Sequence, residues 1–463
     1  MTTSTDTMIE MNWIQKEFKN LGIRCGRTLK RFIKTMGTLS NNMQASILGA
    51  SENIAEAKAI YHMLKHENLT ESVILNAHRK ATLQQIKETK SDILLAIQDT
   101  TELNYTTHVK TQGMGEGTAK NTLGLFVHST LVAPPSGLPY GLLNQQIWTR
   151  DPAERGQKKA DRPIEQKESY KWLVGMNGTA DLKLPNGTRL VQVCDRESDI
   201  YEFFDHAIRI RQDVLVRIVH NRNTVENNKL FDELEQAEVA GTVVVNIPRD
   251  TRRNLPSRTA TLELHYKKVL LQVPQNLRSQ YEDQPSLALT FILVREIDAP
   301  EGQEPITWYL GTTLNVNDAE EAAEKVSWYV QRWKIERFHY VLKQGCAVEE
   351  LQARSIEILR KEILMYSIIA VRLLHLTYAA REGTDALCDT IFEPEEWQVL
   401  YCMANKTQQA PETAPTIQDA VRYLAKLGGF AGRKGDGDPG VKVIWRGYKE
   451  LQTMLKYYRF IPK

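Results

Sequence analysis

Residues 326–345 read VSWYVQRWKIERFHYVLKQG. Tyr329, Arg332, Glu336 and Lys343 stand there at offsets of 0, +3, +7 and +14. At about 100° per residue on an α-helix, the four fall within roughly 60° of one another. Val330, Ile335, Phe338, Val341 and Leu342 gather on the opposite side. The spacing therefore predicts one amphipathic helix with a buried apolar face and a face carrying a tyrosine, two cations and a carboxylate. Trp333 sits at the edge of that polar face. A solvated surface helix would explain the charges, but an exposed face seldom collects Tyr329, Trp333 and Tyr340 without a partner for them.

The whole chain bounds what that partner is. Its 463 residues exceed one ordinary core and predict two or three domains, and 42% hydrophobic residues suffice to bury them. No run of about 18 apolar residues occurs, so no membrane span is expected. The opening MTTSTDTMIEMNW lacks a basic region followed by an apolar one, the pattern of a secretory signal. Five cysteines are scattered without CxxC spacing, which argues for a reducing, cytoplasmic compartment and against a zinc site or a disulfide framework. A net charge of only +2 means that any nucleic-acid footprint must be local.

Such a footprint lies near the start. Residues 1–75 read as helical, and between Lys16 and Lys34 there are seven basic residues and one acid, Glu17. On a helix, Arg24, Arg27, Lys30, Arg31 and Lys34 share one arc, with Leu29, Phe32, Ile33 and Met36 opposite. This stripe suits phosphate contacts and equally suits a solvated face. A second helix is predicted over 52–65, capped by Ser51. From about residue 90 the pattern changes to strands, at 93–97, 123–133 and 140–148. A charged loop over 151–168 follows, with a helix starting near Glu165. A strand at 190–194, a helix at 200–209 and a strand at 214–219 complete an α/β core. Residues 222–315 read as an all-β insertion. A long apolar helix is predicted over 356–378, then helices at 417–427 and 445–458. The last segment is basic again, with Arg446, Lys449, Lys456 and Arg459.

Asp99 and Asp195 share a context: each is expected to end a short apolar strand and to be followed by polar residues. Ligands gather at the carboxyl ends of strands in α/β sheets. Either aspartate alone also fits a helix cap or a turn. Joined by Glu336, the two would make an all-oxygen cage suited to Mg²⁺ or Mn²⁺ and unsuited to zinc. Two such ions can clamp an in-line displacement at phosphorus.

The pattern YxxRxxxExxxxxxK, made by Tyr329, Arg332, Glu336 and Lys343, resembles the signature of cut-and-paste bacterial transposases of the insertion-sequence-four type, most closely the Tn-five-like members. The strings IQDTT at 97–101, KESYKWL at 167–173, VCDRESDI at 193–200, RWKIERFH at 332–339, AVRLLHL at 370–376 and LGGF at 427–430 extend the resemblance over nearly the whole chain. It implies a ribonuclease-H-like α/β catalytic domain, residues 76–380, interrupted by the β insertion at about 222–315. It implies a helical domain for transposon-end DNA over 1–75 and a helical dimerisation region over 381–463.

The resemblance also implies a chemistry. Asp99, Asp195 and Glu336 would be the catalytic and metal-binding triad, with two Mg²⁺ or Mn²⁺ ions. A homodimer in a synaptic complex would nick the transposon end, form and reopen a hairpin, and join the 3′-OH to target DNA. Arg332 and Lys343 would hold phosphates, and Tyr329 would donate a hydrogen bond to one. Over 14 helical residues, Tyr329 and Lys343 would stand roughly 21 Å apart, spanning several nucleotides. A flipped base needs an aromatic shelf: Trp333 is the first candidate and Trp308 the second, although Trp308 also suits a core. Arg196, Arg217 and Arg222 would touch the DNA backbone. Two other readings share these residues: an inactive end-binding inhibitor, and a metal-dependent nuclease without strand transfer. A carboxylate-pair glycosidase would leave the basic stripe unexplained.

Overall fold

Ten strands form one mixed sheet in the computed structural model, which describes residues 12–44, 46–151, 162–247 and 256–458. Residues 1–11, part of the charged loop (152–161) and Arg459 lie outside the described residues. The strands are β1 (Ile93–Asn104), β2 (Gly115–Glu116), β3 (Leu123–Ala133), β4 (Gly141–Trp148), β5 (Arg189–Cys194), β6 (Asp213–Ile218), β7 (Gly241–Ile247), β8 (Arg258–Gln272), β9 (Ser286–Ile297) and β10 (Thr307–Thr312). Their order is β2-β3-β1-β5-β6-β10-β9-β8-β7, with β4 on β3. β1 pairs with β5, and β5 with β6, in parallel; every other pair is antiparallel.

The period-2 alternation of the central strands divides the sheet into two faces. Leu95 and Ile97 of β1, Val191 and Val193 of β5, and Leu215 of β6 face one core. Ile335, Phe338, Val341 and Leu342 pack into that same core, as does the helix Ile356–Ala379. Cys194, Val214 and Val216 face the other way. They meet Trp172 and Met176 of the helix Tyr170–Ala180 and Phe203 and Phe204 of the helix Tyr201–Arg209. The helix Ile356–Ala379 is long and apolar enough to cross a membrane, but 83% of its apolar window is buried inside the protein.

Several elements differ from the sequence expectation. The strand expected at 93–97 runs on to Asn104, because β3 pairs with it along its polar half. The segment 222–315 is not all β: the short helix Leu230–Glu235 packs on β8. Its strands also extend the core sheet through β10, which pairs with β6. Asn53, and not Ser51, caps the second helix, Ile54–Leu64, by accepting from the Glu56 N–H. The Ser51 hydroxyl instead donates to the Ile47 carbonyl.

Near the C-terminus the helices Ile417–Leu427 and Val441–Tyr458 cross at two glycines. A Cβ on Gly447 would lie 1.8 Å from the Leu424 carbonyl oxygen, and one on Gly428 1.8 Å from that of Val443. Backbone cannot yield as a side chain does, so Gly447→Ala should destabilise the protein by at least about 1–3 kcal/mol, the usual cost of overpacking. Denaturant unfolding checks this, with Gly22→Ala, at a site with open space around its Cα and no positive φ, as the comparison.

Candidate active site

The parallel register brings the two aspartates together. Ile97 pairs with Val193, the last pair of β1 with β5. Two residues on stand Asp99, still within β1, and Asp195, the first residue past the end of β5, at the same level of the register. Counting by twos, Asp99 shares a face with Leu95 and Ile97, and Asp195 with Val191 and Val193. Cys194 pairs with Val216 across β5 and β6, so the next residue, Arg217, stands level with Asp195 on the same face as Leu215. Asp99 does not end its strand as expected; it lies mid-strand, where β5 stops pairing. Asp195 caps the 3₁₀ turn Arg196–Ser198, accepting from the Glu197 N–H at 2.9 Å.

The third carboxylate comes from a helix that is not the single one expected. Residues 326–345 form the end of the helix Ala319–Val330, the helix Trp333–Tyr340 and a π turn, Val341–Gly345. The junction is overwound. The N–H groups of Gln331, Arg332, Lys334 and Ile335 each bond the carbonyl three residues back. The far end is underwound, with the Cys346 N–H on the Val341 carbonyl. Tyr329 is therefore not on an open polar face but buried, at 5% exposure. Its ring meets Trp308 edge-on at 5.5 Å and lies 5.9 Å from the Arg332 guanidinium. Trp308 is thus engaged in the packing around Tyr329 and does not stand open as a shelf. Trp333, 41% exposed, opens the helix Trp333–Tyr340.

Arg332 joins two of the acids. Its Nη2 donates to Glu336 Oε1 at 2.6 Å, and its Nη1 lies 3.8 Å from Asp99 Oδ2. Burial, then the neighbouring Asp195 carboxylate, raises Asp99 to about 7, with Glu336 adding to the rise against Arg332 and the Thr100 N–H. Burial also raises Asp195, opposed by the Glu197 N–H, Arg332 and Lys171. Burial acts to lower Arg332, yet Tyr329, Glu336 and Asp99 together hold it above the usual arginine value. The three carboxylates thus share one field, and their all-oxygen chemistry suits a hard cation. Among the described residues no three such ligands are closed around a common point. The guanidinium stands between Asp99 and Glu336.

The other expected contacts divide. Lys343 lies in the π turn with Nζ 3.9 Å from Glu349. Arg196 is exposed and Arg217 half-buried. Arg222 is turned inward: it is ion-paired with Asp199, whose carboxylate is fully buried and needs a cation. Asp199 also accepts from the N–H groups of Val219 and His220, at 2.8 and 2.9 Å. Of the basic stripe, Arg27, Lys30, Arg31 and Lys34 lie on the helix Gly26–Asn41, with Phe32 and Met36 buried behind. Arg24 precedes that helix and so leaves the arc, and Lys34 pairs with Glu56 at 2.9 Å.

Residue types alone did not single out the polar layer beneath the site. His128 joins Thr100 and Gln98, each at 2.9 Å, and Gln98 donates to Gln192 at 2.8 Å. Lys171, 3.1 Å from Glu197, faces Asp195 from the helix Tyr170–Ala180. The strings KESYKWL and VCDRESDI contain this pair, and it was visible only as part of them.

Two families of known proteins match the ends of the chain. "Transposase DNA-binding" matches residues 10–69, and "Transposase Tn5 dimerisation domain" matches residues 368–462. Both ends are thus similar to domains of Tn5-like transposases, one for DNA binding and one for dimerisation. The solved cryo-EM structure of a piggyBac transposase synaptic complex with hairpin DNA aligns at 9% identity and a TM-score of 0.36, over 77% of this chain and 67% of that one. A likeness so distant carries no functional argument.

Two measurements test these electrostatics. Folding raises Asp99 from 3.8 to about 7, so the folded form holds an extra proton between those values and loses stability as pH rises through them. In metal-free buffer Asp99→Asn should therefore unfold at a higher temperature than the wild type at about pH 8, with the difference closing near about pH 4. Arg222→Ala should cost about 3–5 kcal/mol of stability, the penalty of a broken buried pair, and leave the salt dependence of DNA binding unchanged.

Proposed function

We propose that the chain is a DDE transposase of the insertion-sequence-four type, with Asp99, Asp195 and Glu336 as its catalytic carboxylates. One observation carries this reading: Asp99 in one strand and Asp195 just past the end of the parallel strand beside it stand level, on the sheet face covered by the helix that bears Glu336. A ribonuclease-H-like core is supported by the strand order β4-β3-β1-β5-β6, antiparallel up to β1 and parallel beyond it.

The carboxylates are a donor set that fits two Mg²⁺ or Mn²⁺ ions, once Arg332 withdraws from between them. When bound, the ions supply an activated nucleophile and stabilise the leaving oxygen. The chain's own residues position the DNA. Lys343, Arg217 and Arg196 hold phosphates around the scissile bond, and Arg332 takes one when it leaves the acids. Trp333, exposed one turn before Glu336, gives a shelf for a base displaced from the duplex end. The cations of the helix Gly26–Asn41, with Arg24 beside it, grip the transposon end. Water nicks one strand, the freed 3′-OH attacks the other to close a hairpin, water reopens it, and the 3′-OH joins target DNA. One set of groups serves all four steps, because each is the same displacement at phosphorus with a different nucleophile. A homodimer holding two ends would work on nucleoid DNA in the cytoplasm.

The test is incubation of the protein with a duplex carrying its element's terminal inverted repeat and Mg²⁺, read on a denaturing gel, followed by strand transfer into a plasmid. Hairpins and transfer products are expected, and Asp99→Ala, Asp195→Ala and Glu336→Ala should each lower cleavage by about 10³-fold or more. Cleavage that survives Asp99→Ala overturns the triad. Cleavage without transfer favours a nuclease, and end binding without cleavage an inhibitor.

A further inference from the structure

The guanidinium of Arg332 occupies a position that the proposed chemistry cannot leave it in. Among the described residues it is the one cation paired with Asp99 or Glu336, at 3.8 and 2.6 Å. The bond to Glu336 is as short as a strong charge-assisted hydrogen bond. A divalent ion drawn to Asp99 and Glu336 would compete with Arg332 for the same Oε1 and would meet a positive charge a few ångströms away. Metal and arginine therefore oppose one another at this site.

The arginine is also incompletely satisfied where it lies. Its Nε is buried without a hydrogen-bond partner. Its side chain is 16% exposed, so it is close to solvent without being free in it. It springs from the overwound junction between two helices, above the Tyr329 ring. A planar fork with a spare donor matches a phosphate, whose oxygens can accept from Nε and Nη together.

We infer that Arg332 is a built-in counter-ion, which holds Asp99 and Glu336 in the DNA-free protein and is exchanged for metal when a DNA phosphate takes the guanidinium. This rests on the proposed function for the identity of the metal site. It adds that metal binding waits for DNA. By linkage the coupling is reciprocal: DNA tightens the metal as much as metal tightens DNA. The free protein would thereby be kept from acting on phosphodiesters that have not been seated at the site.

The test is Mn²⁺ binding to the full-length protein, read from the electron paramagnetic resonance signal of free Mn²⁺. It is made with and without a pre-cleaved duplex ending at the terminal inverted repeat. The wild type should bind Mn²⁺ more tightly with DNA by about 5- to 150-fold, the usual range of such coupling. Arg332→Gln and Arg332→Met should bind Mn²⁺ without DNA at least about fivefold more tightly than the wild type, and gain less from DNA. Equal Mn²⁺ affinity of the wild type with and without DNA overturns the inference. So do variants that keep the wild-type thermal transition and bind Mn²⁺ no more tightly. Asp99→Ala separates the two readings. If Mn²⁺ binding survives it, the carboxylate site itself is wrong. If Asp99→Ala abolishes binding and the arginine variants do not tighten it, only the counter-ion role falls.

Discussion

Five residues of β1, Ile93 to Ile97, run parallel to Arg189 to Val193 of β5, and the site depends on that register. A shift of one residue would turn Asp195 to the opposite face of the sheet, among Cys194 and its apolar neighbours. The register is held from both faces. Leu95, Ile97, Val191 and Val193 are fully buried under the helices of one side. On the other side, Gln98 and Gln192 are joined by a hydrogen bond between the same two strands, in a fully buried place where an unpaired amide would be costly. The polar layer and the apolar layer therefore enforce the same alignment.

That alignment has an electrostatic cost. The Asp195 carboxylate raises the pKa of its neighbour Asp99, and the helix that closes the face adds a third carboxylate, Glu336, that raises it further. The same helix also brings Arg332, which partly offsets the repulsion. The helix is divided because it serves two places. Ala319–Val330 packs on β6, β7 and β8, and Trp333–Tyr340 packs on β1. The overwound junction turns the chain from the outer part of the sheet to its centre, and Arg332 and Glu336 follow directly after the turn.

The two matched end domains meet in the folded chain. The Trp13 N–H donates to Glu393, the Arg372 guanidinium lies 4.7 Å from the Trp13 ring, and the Ser40 and Tyr448 hydroxyls are 3.3 Å apart. The Lys361 ammonium donates to the Leu64 carbonyl. The helix Ile356–Ala379 lies beneath both ends and beneath the sheet, and its near-continuous apolar surface reflects burial on every side.

Periodicity and residue type by themselves determined much of this. Runs of apolar, strand-forming residues marked β3 over 123–133 and the β character of the segment that holds β7, because those strands carry their own composition. The spacing of Ile335, Phe338, Val341 and Leu342 identified the buried side of the closing helix, whereas the grouping of Asp99, Asp195 and Glu336 was an expectation from strand context and the family resemblance that residue spacing could not show. What needed the tertiary structure was every feature set by a partner distant in sequence. β1 runs past Asp99 because β3 pairs with it, which no local signal in 98–104 announces. The division of residues 326–345 and the burial of Tyr329 arise from docking on two parts of the sheet, with no proline or glycine at the junction to mark it. Arg222 and Arg217 look alike in the sequence. One is held by a buried carboxylate and the other acts on Tyr329, since a cation's role is decided by which group folding brings near it.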